Sequence, residues 1–272
     1  MKISASPRVT YANNPLAEVI CQVRWARISD FNDSAIPALR PILNNLEYVS
    51  LREDIKFSID INPQSNEGAL APKFESYKTF NFVTSDDTWC ATLCSDYLAL
   101  TCTKYTSWED FQARFLALID AILPIKRDFT FERLSLSYKD VIEREAVGLS
   151  GAPWSDLVSP FLLGPLSLGS FEDGVSGSEN DVSEFLTSAT IKLDSSMLLL
   201  RSSLLTSIDG SKKAFLIDAE FFYDKNLEID LLSNRDTLLS RLKTLHENAG
   251  ALFRRSITER LHDALRPRPV DA

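Results

Sequence analysis

Histidine, glycine, basic charge and long apolar runs are all scarce in this chain, and each shortage excludes a class of function. The 272 residues include two histidines, His246 and His262. If both lie on one helix, their separation is more than about four turns, so one chain cannot close a metal site with the pair. Neither falls at a spacing that suggests a Ser/His/acid arrangement. The 9 glycines form no G-x-x-x-x-G-K and no G-x-G-x-x-G pattern, which excludes a phosphate loop and a dinucleotide fingerprint. No run approaches the roughly 18 apolar residues of a membrane helix. The longest, such as "MLLLR" and "AFLIDAEFFY", have strand length. The opening "MKISASPRVTYANNPL" lacks the apolar core of a secretion signal, which predicts a cytoplasmic protein. Lys and Arg number 29 against 38 Asp and Glu, a net charge of -9. That field repels phosphate backbones and disfavours nucleic acid as a partner. The basic residues concentrate at Arg254, Arg255, Arg260, Arg266 and Arg268, diluted by Glu259, Asp263 and Asp271. They read as a solvated helix end whose cations complement the dipole.

What remains is an ordinary globular composition, 44% hydrophobic and 25% charged, in a chain long enough to bury a core without covalent staples. The four cysteines fit free thiols in a reducing compartment. Three of them, Cys90, Cys94 and Cys102, fall in "TWCATLCSDYLALTCTKYTSWEDFQARF". A structural zinc site needs a second close pair on a loop, and none follows. Cys90 and Cys94 share one face of a predicted strand. Cys102 is expected across from one of them on the return strand, and all three are read as packing.

Period-two and helical patterns then order the chain. Val19, Cys21, Val23 and Trp25 alternate with polar residues as a half-buried strand. Ile36, Leu39, Leu43 and Leu46 recur at helical spacing, with Pro41 expected to kink or interrupt that helix. Strands follow in "YVSLREDIKFSIDIN", "KFESYKTFNFV" and the two arms around Ser95-Asp96, with a turn-rich loop "NPQSNEGALAP" between the first two. Ser107 is placed to cap a helix at Asp110, with the apolar stripe Trp108, Phe111, Phe115, Leu118, Ile119 and Ile122. The second half repeats the order: strand "FTFERLSLSYKDVI", a proline-broken helix "APWSDLVSPFLLGPL", three strands, and a helix capped by Asn234. Unbroken from Arg235 to Leu265, that last helix would span about 45 Å, with Gly250 its weak point. Phe171 to Phe185 carries five acids and no base, and reads as a mobile acidic loop. The expected fold is therefore α+β: a tandem duplication of a strand–helix–(three or four strands)–helix unit, residues 1–125 and 126–272. Its antiparallel sheet carries the long helices on one face and leaves the other partly open.

Two carboxylates stand out. Asp218 and Glu220 in "LIDAEFFYDK" project to one face of a strand. Such a pair can hold Mg²⁺ in phosphoryl transfer, or it can pair with Arg133 or Arg201 on neighbouring strands. No third acid or companion lysine follows at nuclease-like spacing, which favours a solvated face or those ion pairs over a metal site.

Several stretches together resemble a sporadically distributed bacterial family of uncharacterised proteins. "NPLAEVICQVRW" looks like its Asn-Pro-Pro-Leu-x-Glu opening strand. "TWCATLCSDYLALTCTKYTSWEDFQARF" is similar to its Trp strand, "L-T-x-x-Y" strand and "W-x-x-F" helix, and "AFLIDAEF" and "LHENAGALFRRSIT" resemble its closing strand and helix. "FERLSLSYKDVI" is similar to its Arg-(Leu/Ile)-Gly-Leu-Arg-Tyr-x-Asn strand but departs at Ser135, Ser137 and Asp140, where the family tends to have Gly, Arg and Asn. The element order also resembles the duplicated TATA-binding-protein type of fold, an analogy that does not grant DNA binding. The resemblance implies no catalytic residue. It implies a setting in antiviral defence or toxin–antitoxin-like loci. The expectation is a non-enzymatic subunit without cofactor, binding a protein encoded nearby or a second copy of itself. A metal-dependent phosphoryl-transfer or nuclease enzyme using Asp218 and Glu220 is the alternative, and a nucleic-acid-binding sheet the next.

Overall fold

Alternating apolar and polar side chains set the strands of this chain. The computed structural model describes residues 1–28, 31–60, 73–125, 131–170, 179–208, 210, 212–224 and 234–269. In chain order the elements are β1 (Val9–Tyr11), β2 (Leu16–Trp25), α1 (Phe31–Asn45), β3 (Ser50–Asp60), β4 (Lys73–Val83), β5 (Trp89–Cys94), β6 (Tyr97–Cys102), α2 (Trp108–Ile122), β7 (Phe131–Glu143), α3 (Pro160–Leu163), β8 (Leu186–Lys192), β9 (Met197–Thr206), β10 (Lys213–Asp224), α4 (Arg235–Ser256), α5 (Glu259–Ala264) and β11 (Pro267–Pro269). Short 3₁₀ turns flank α3 at Trp154–Asp156 and Gly164–Ser170. Strands run in the order β3-β4-β5-β6 in one part of the chain and β7-β10-β9-β8 in the other, each antiparallel throughout. The chain divides into two compact units, 21–132 and 1–20 with 133–272. The expected halves, 1–125 and 126–272, differ from these chiefly in where residues 1–20 fall.

In the 21–132 unit, the two-residue turn Ser95-Asp96 sets Cys94 opposite Tyr97 and fixes every later pair. Phe82, Ala91 and Leu100 make one buried row across β4, β5 and β6, and Phe80, Leu93 and Leu98 make the next. Trp89 on the same face meets Phe111 of α2 at 5.8 Å between ring centroids. Ser107 caps α2, its hydroxyl accepting from the Asp110 N–H at 3.2 Å. α1 runs through both Pro37 and Pro41, so the expected interruption at Pro41 does not occur. Ala35, Leu39 and Leu43 are buried along one side of that helix, and their burial holds it despite the missing N–H donors. The loop read in "NPQSNEGALAP" lies outside the described residues.

In the unit of residues 1–20 and 133–272, Leu134, Leu136, Phe215, Ile217, Ala219, Phe221, Leu198 and Leu200 bury one face of β7, β10 and β9. The helical segments meet that face. Trp154 packs on Phe215 at 5.5 Å, Ser202 donates to the Leu162 carbonyl at 2.9 Å, and Tyr138 hydrogen-bonds His246 of α4 at 2.8 Å. The last helix is not continuous to Leu265, and it does not break at Gly250. It stops at Ser256, where Ile257 turns extended and bridges Val158. Thr258 then caps α5 through Leu261. The backbone N–H of Ser159 and the carbonyl of Leu157 pair across this break with Ser256 and Thr258, supplying the bonds that the helix gives up. β1 pairs with β11, and the Tyr11 hydroxyl hydrogen-bonds His262 Nδ1 at 3.0 Å. Of the acidic loop, 171–178 lie outside the described residues. Glu179 is held by Arg144 at 2.5 Å and by the Trp154 N–H at 2.6 Å.

Asp140 sits on the helix side of β7, opposite Ile217, and is 7% exposed. Burial pushes its carboxyl up to about 7. Its folded value lies above its unfolded value, so the folded state holds the proton more tightly, and stability falls as pH rises from about 4 through 7. Asp140→Asn removes that loss. Urea unfolding at pH 5 and pH 8 is expected to show a smaller drop for the variant, with a gain on the order of 3–4 kcal/mol at pH 8.

Candidate functional site

The face of β7, β10, β9 and β8 turned away from those helices is laid out in rows by the strand register. Lys139 stands opposite Asp218, and Asp218 opposite Arg201. Lys139 reaches Glu18 of β2 at 2.5 Å, and Arg201 places two guanidinium nitrogens on Asp218 Oδ2 at 3.0 and 2.9 Å. The row therefore reads Glu18, Lys139, Asp218, Arg201, with alternating sign. In the next row Glu220 lies between Ser137 and Leu199, and beyond it Phe222 lies between Ser135 and Met197. Arg133 donates to Glu220 Oε1 at 2.8 Å while its guanidinium stacks 3.6 Å over the Phe222 ring. On the other side of the charged row stand Val141, Leu216, Ser203 and Leu186.

The six charged side chains are not freely solvated. Their exposure runs from 10% at Asp218 and 16% at Glu220 to 40% at Arg201. They lie against the sheet, and each is neutralised by a neighbour. Asp218 Oδ1 is buried without a hydrogen-bond partner among the described residues. An acceptor left in that state costs about 1–3 kcal/mol.

Asp218 and Glu220 are thus together on one face and held by Arg201 and Arg133, the two partners the spacing allowed. A cation bound between the acids would compete with two guanidinium groups. Among the described residues no three His, Cys, Asp or Glu are grouped to hold a metal. Sequence reasoning missed the Lys139–Glu18 pair, because the two residues lie 121 positions apart and carry no shared pattern. It also missed the Arg144–Glu179 pair.

The cysteines are corrected in one respect. Cys102 stands opposite Trp89, not opposite Cys90 or Cys94, so it lies on the other face of the hairpin. The odd sum of paired residue numbers, set by the two-residue turn, forces this. Cys21, Cys94 and Cys102 are buried, Cys90 is half-buried, and all four are free. Burial raises each thiol, that of Cys102 to about 11, which leaves little thiolate at neutral pH. Each histidine is tied through Nδ1 to a tyrosine hydroxyl, Tyr138 for His246 and Tyr11 for His262.

No protein-family model matches this chain, and no curated protein matches it significantly.

Removing Arg201 alone strands the Asp218 carboxylate against the sheet. Arg201→Ala is expected to cost about 1–3 kcal/mol in urea unfolding, and the Arg201→Ala/Asp218→Ala pair less than the single change. A disulfide reagent at neutral pH should label Cys90 ahead of the other three, with all four reacting once the chain is unfolded.

Proposed function

We propose that this chain is a non-enzymatic protein-interaction subunit that regulates or inhibits an effector in a bacterial defence or toxin–antitoxin-like system. The observation that carries the first part is the sheet face turned away from the helical segments among the described residues. Its six charges cancel in pairs, lie half-buried, and are interleaved with Leu199, Leu216, Met197 and Phe222. A reaction centre instead concentrates groups whose charge is left unbalanced until substrate or metal arrives. The defence setting rests on the family resemblance of the opening, Trp-strand and closing segments.

The same reading takes the architecture as a tandem duplication with a long helix on one side of each copy's strands. The strand order supports it. From β2 the order runs β6, β5, β4, β3, and from β7 it runs β10, β9, β8. In both, the first strand lies beside the last and the others follow outward as a meander.

The metal-dependent phosphoryl-transfer reading has one observation in its favour, the unpartnered Asp218 Oδ1. Two measurements separate the readings. Mixing the chain with the products of adjacent genes and weighing the mixture by light scattering should reveal a complex; no complex with any neighbour sinks the subunit reading. A phosphodiester or phosphomonoester assay with Mg²⁺ or Mn²⁺ should give the same background for the chain and for Asp218→Ala/Glu220→Ala. Turnover lost in that variant establishes the enzyme instead.

A further inference from the structure

We propose that the charged face of the 1–20 and 133–272 unit is a two-fold interface with a second copy of this chain. The inference deepens the interaction reading by naming a surface and its occupant, and it rests on that reading.

The order of signs chooses the occupant. Along the row the charges run Glu18 negative, Lys139 positive, Asp218 negative, Arg201 positive. Read backwards, the same row runs positive, negative, positive, negative. Two such faces stacked about an axis parallel to the strands, between β7 and β10, place Lys139 over the second copy's Asp218. Glu18 then lies over the second copy's Arg201. Every charge of this row meets its opposite, as a closed two-fold contact between identical patches requires. The axis also sets Val141 of one copy over the second copy's Leu216, because these two stand opposite each other in the register. An axis running across the strands would put each charge over its own kind, so the pattern selects one orientation and opposes the other.

Net charge adds a second argument. Each chain carries -9, so two copies repel over most of their surfaces. On this face three acids, Glu18, Asp218 and Glu220, are cancelled by three bases, Lys139, Arg133 and Arg201. It is a surface on which two copies approach without that penalty. Face-to-face sheets pack about 10 Å apart, a distance that side chains of this length span from both sides. The four strands that the axis matches, about 4.8 Å apart and about seven residues long, give a footprint of about 450 Å² per copy. That lies below the about 800 Å² per partner of a standard stable interface. The dimer is therefore weak, dependent on concentration and sensitive to salt.

Light scattering of the purified chain over a concentration series, at low and high salt, should show mass rising from one copy toward two, less so in high salt. Glu18→Arg alone and Arg201→Glu alone should each stay monomeric, since each sets like charges against each other. Mixed in equal amounts, the E18R and R201E chains should recover the dimer, because position 18 of each copy then faces the opposite charge at position 201 of the other. Urea unfolding reports whether each variant remains folded. If either does not, the neutral pair Arg201→Gln/Asp218→Asn replaces it and should weaken the dimer and remove its salt dependence. A chain monomeric at every concentration overturns the proposal, and so does a dimer unchanged by these substitutions. A monomeric chain that still binds a neighbouring gene product overturns the dimer and leaves the interaction reading intact.

Discussion

β10 is held on both edges, by β7 and by β9, and that confinement organises the unit around it. Its backbone groups are spent in two ladders, so only the direction of its side chains is left to vary. Phe215, Ile217, Ala219 and Phe221 go under the helical segments, and period two then sends Leu216, Asp218, Glu220 and Phe222 the other way. Two carboxylates in the middle of a wide sheet cannot turn out to bulk water as they could on an edge strand. Their charge is met where the neighbouring strands stand, by Arg201 on β9 and Arg133 on β7. The ion pairs of the open face follow from the burial of the opposite one.

Two aspartates in the same sheet have different surroundings. Asp218 lies beside a guanidinium that places two nitrogens on one of its oxygens. Asp140 is equally shielded from water, on the side packed against helices, and burial alone moves its carboxyl up to about 7. The polar contacts nearby are tyrosine to histidine, Tyr138 with His246 and Tyr11 with His262, and they tie the last helices to β7 and to the N-terminal segment.

The strands were legible because alternation is local and short-ranged. β4 begins and ends where the pattern says, β6 lies within a residue of it at each end, and the Ser95-Asp96 turn fixes the hairpin register without help from the rest of the chain. The caps Ser107 and Asn234 were legible for the same reason, since each bonds an N–H three residues on. What escaped was non-local. The β1–β11 pairing joins two three-residue strands from opposite ends of the sequence, too short to carry a period. The stop at Ser256 depends on a bridge from Ile257 to Val158, so the glycine at 250, unfavourable in isolation, is carried through while an ordinary Ile-Thr step is not. In the site, the acids were readable from one strand, but which cation met which acid required the order of four.

Local cancellation also limits how such a face recognises anything. Paired charges about 3 Å apart produce a field that decays much faster than that of a lone ion, and salt shortens it further. A face built this way attracts little from a distance. In the proposed interaction it would discriminate at contact, where the order of signs along the row either matches or opposes the surface laid on it, and where the flanking leucines reward only a close fit. A catalytic pair in the same place would gain from the reverse design, an unmatched charge in a water-poor pocket. The side chains of β7, β9 and β10 are arranged to remove such a charge, and that arrangement is physically the stronger reason to read the face as a surface for another macromolecule.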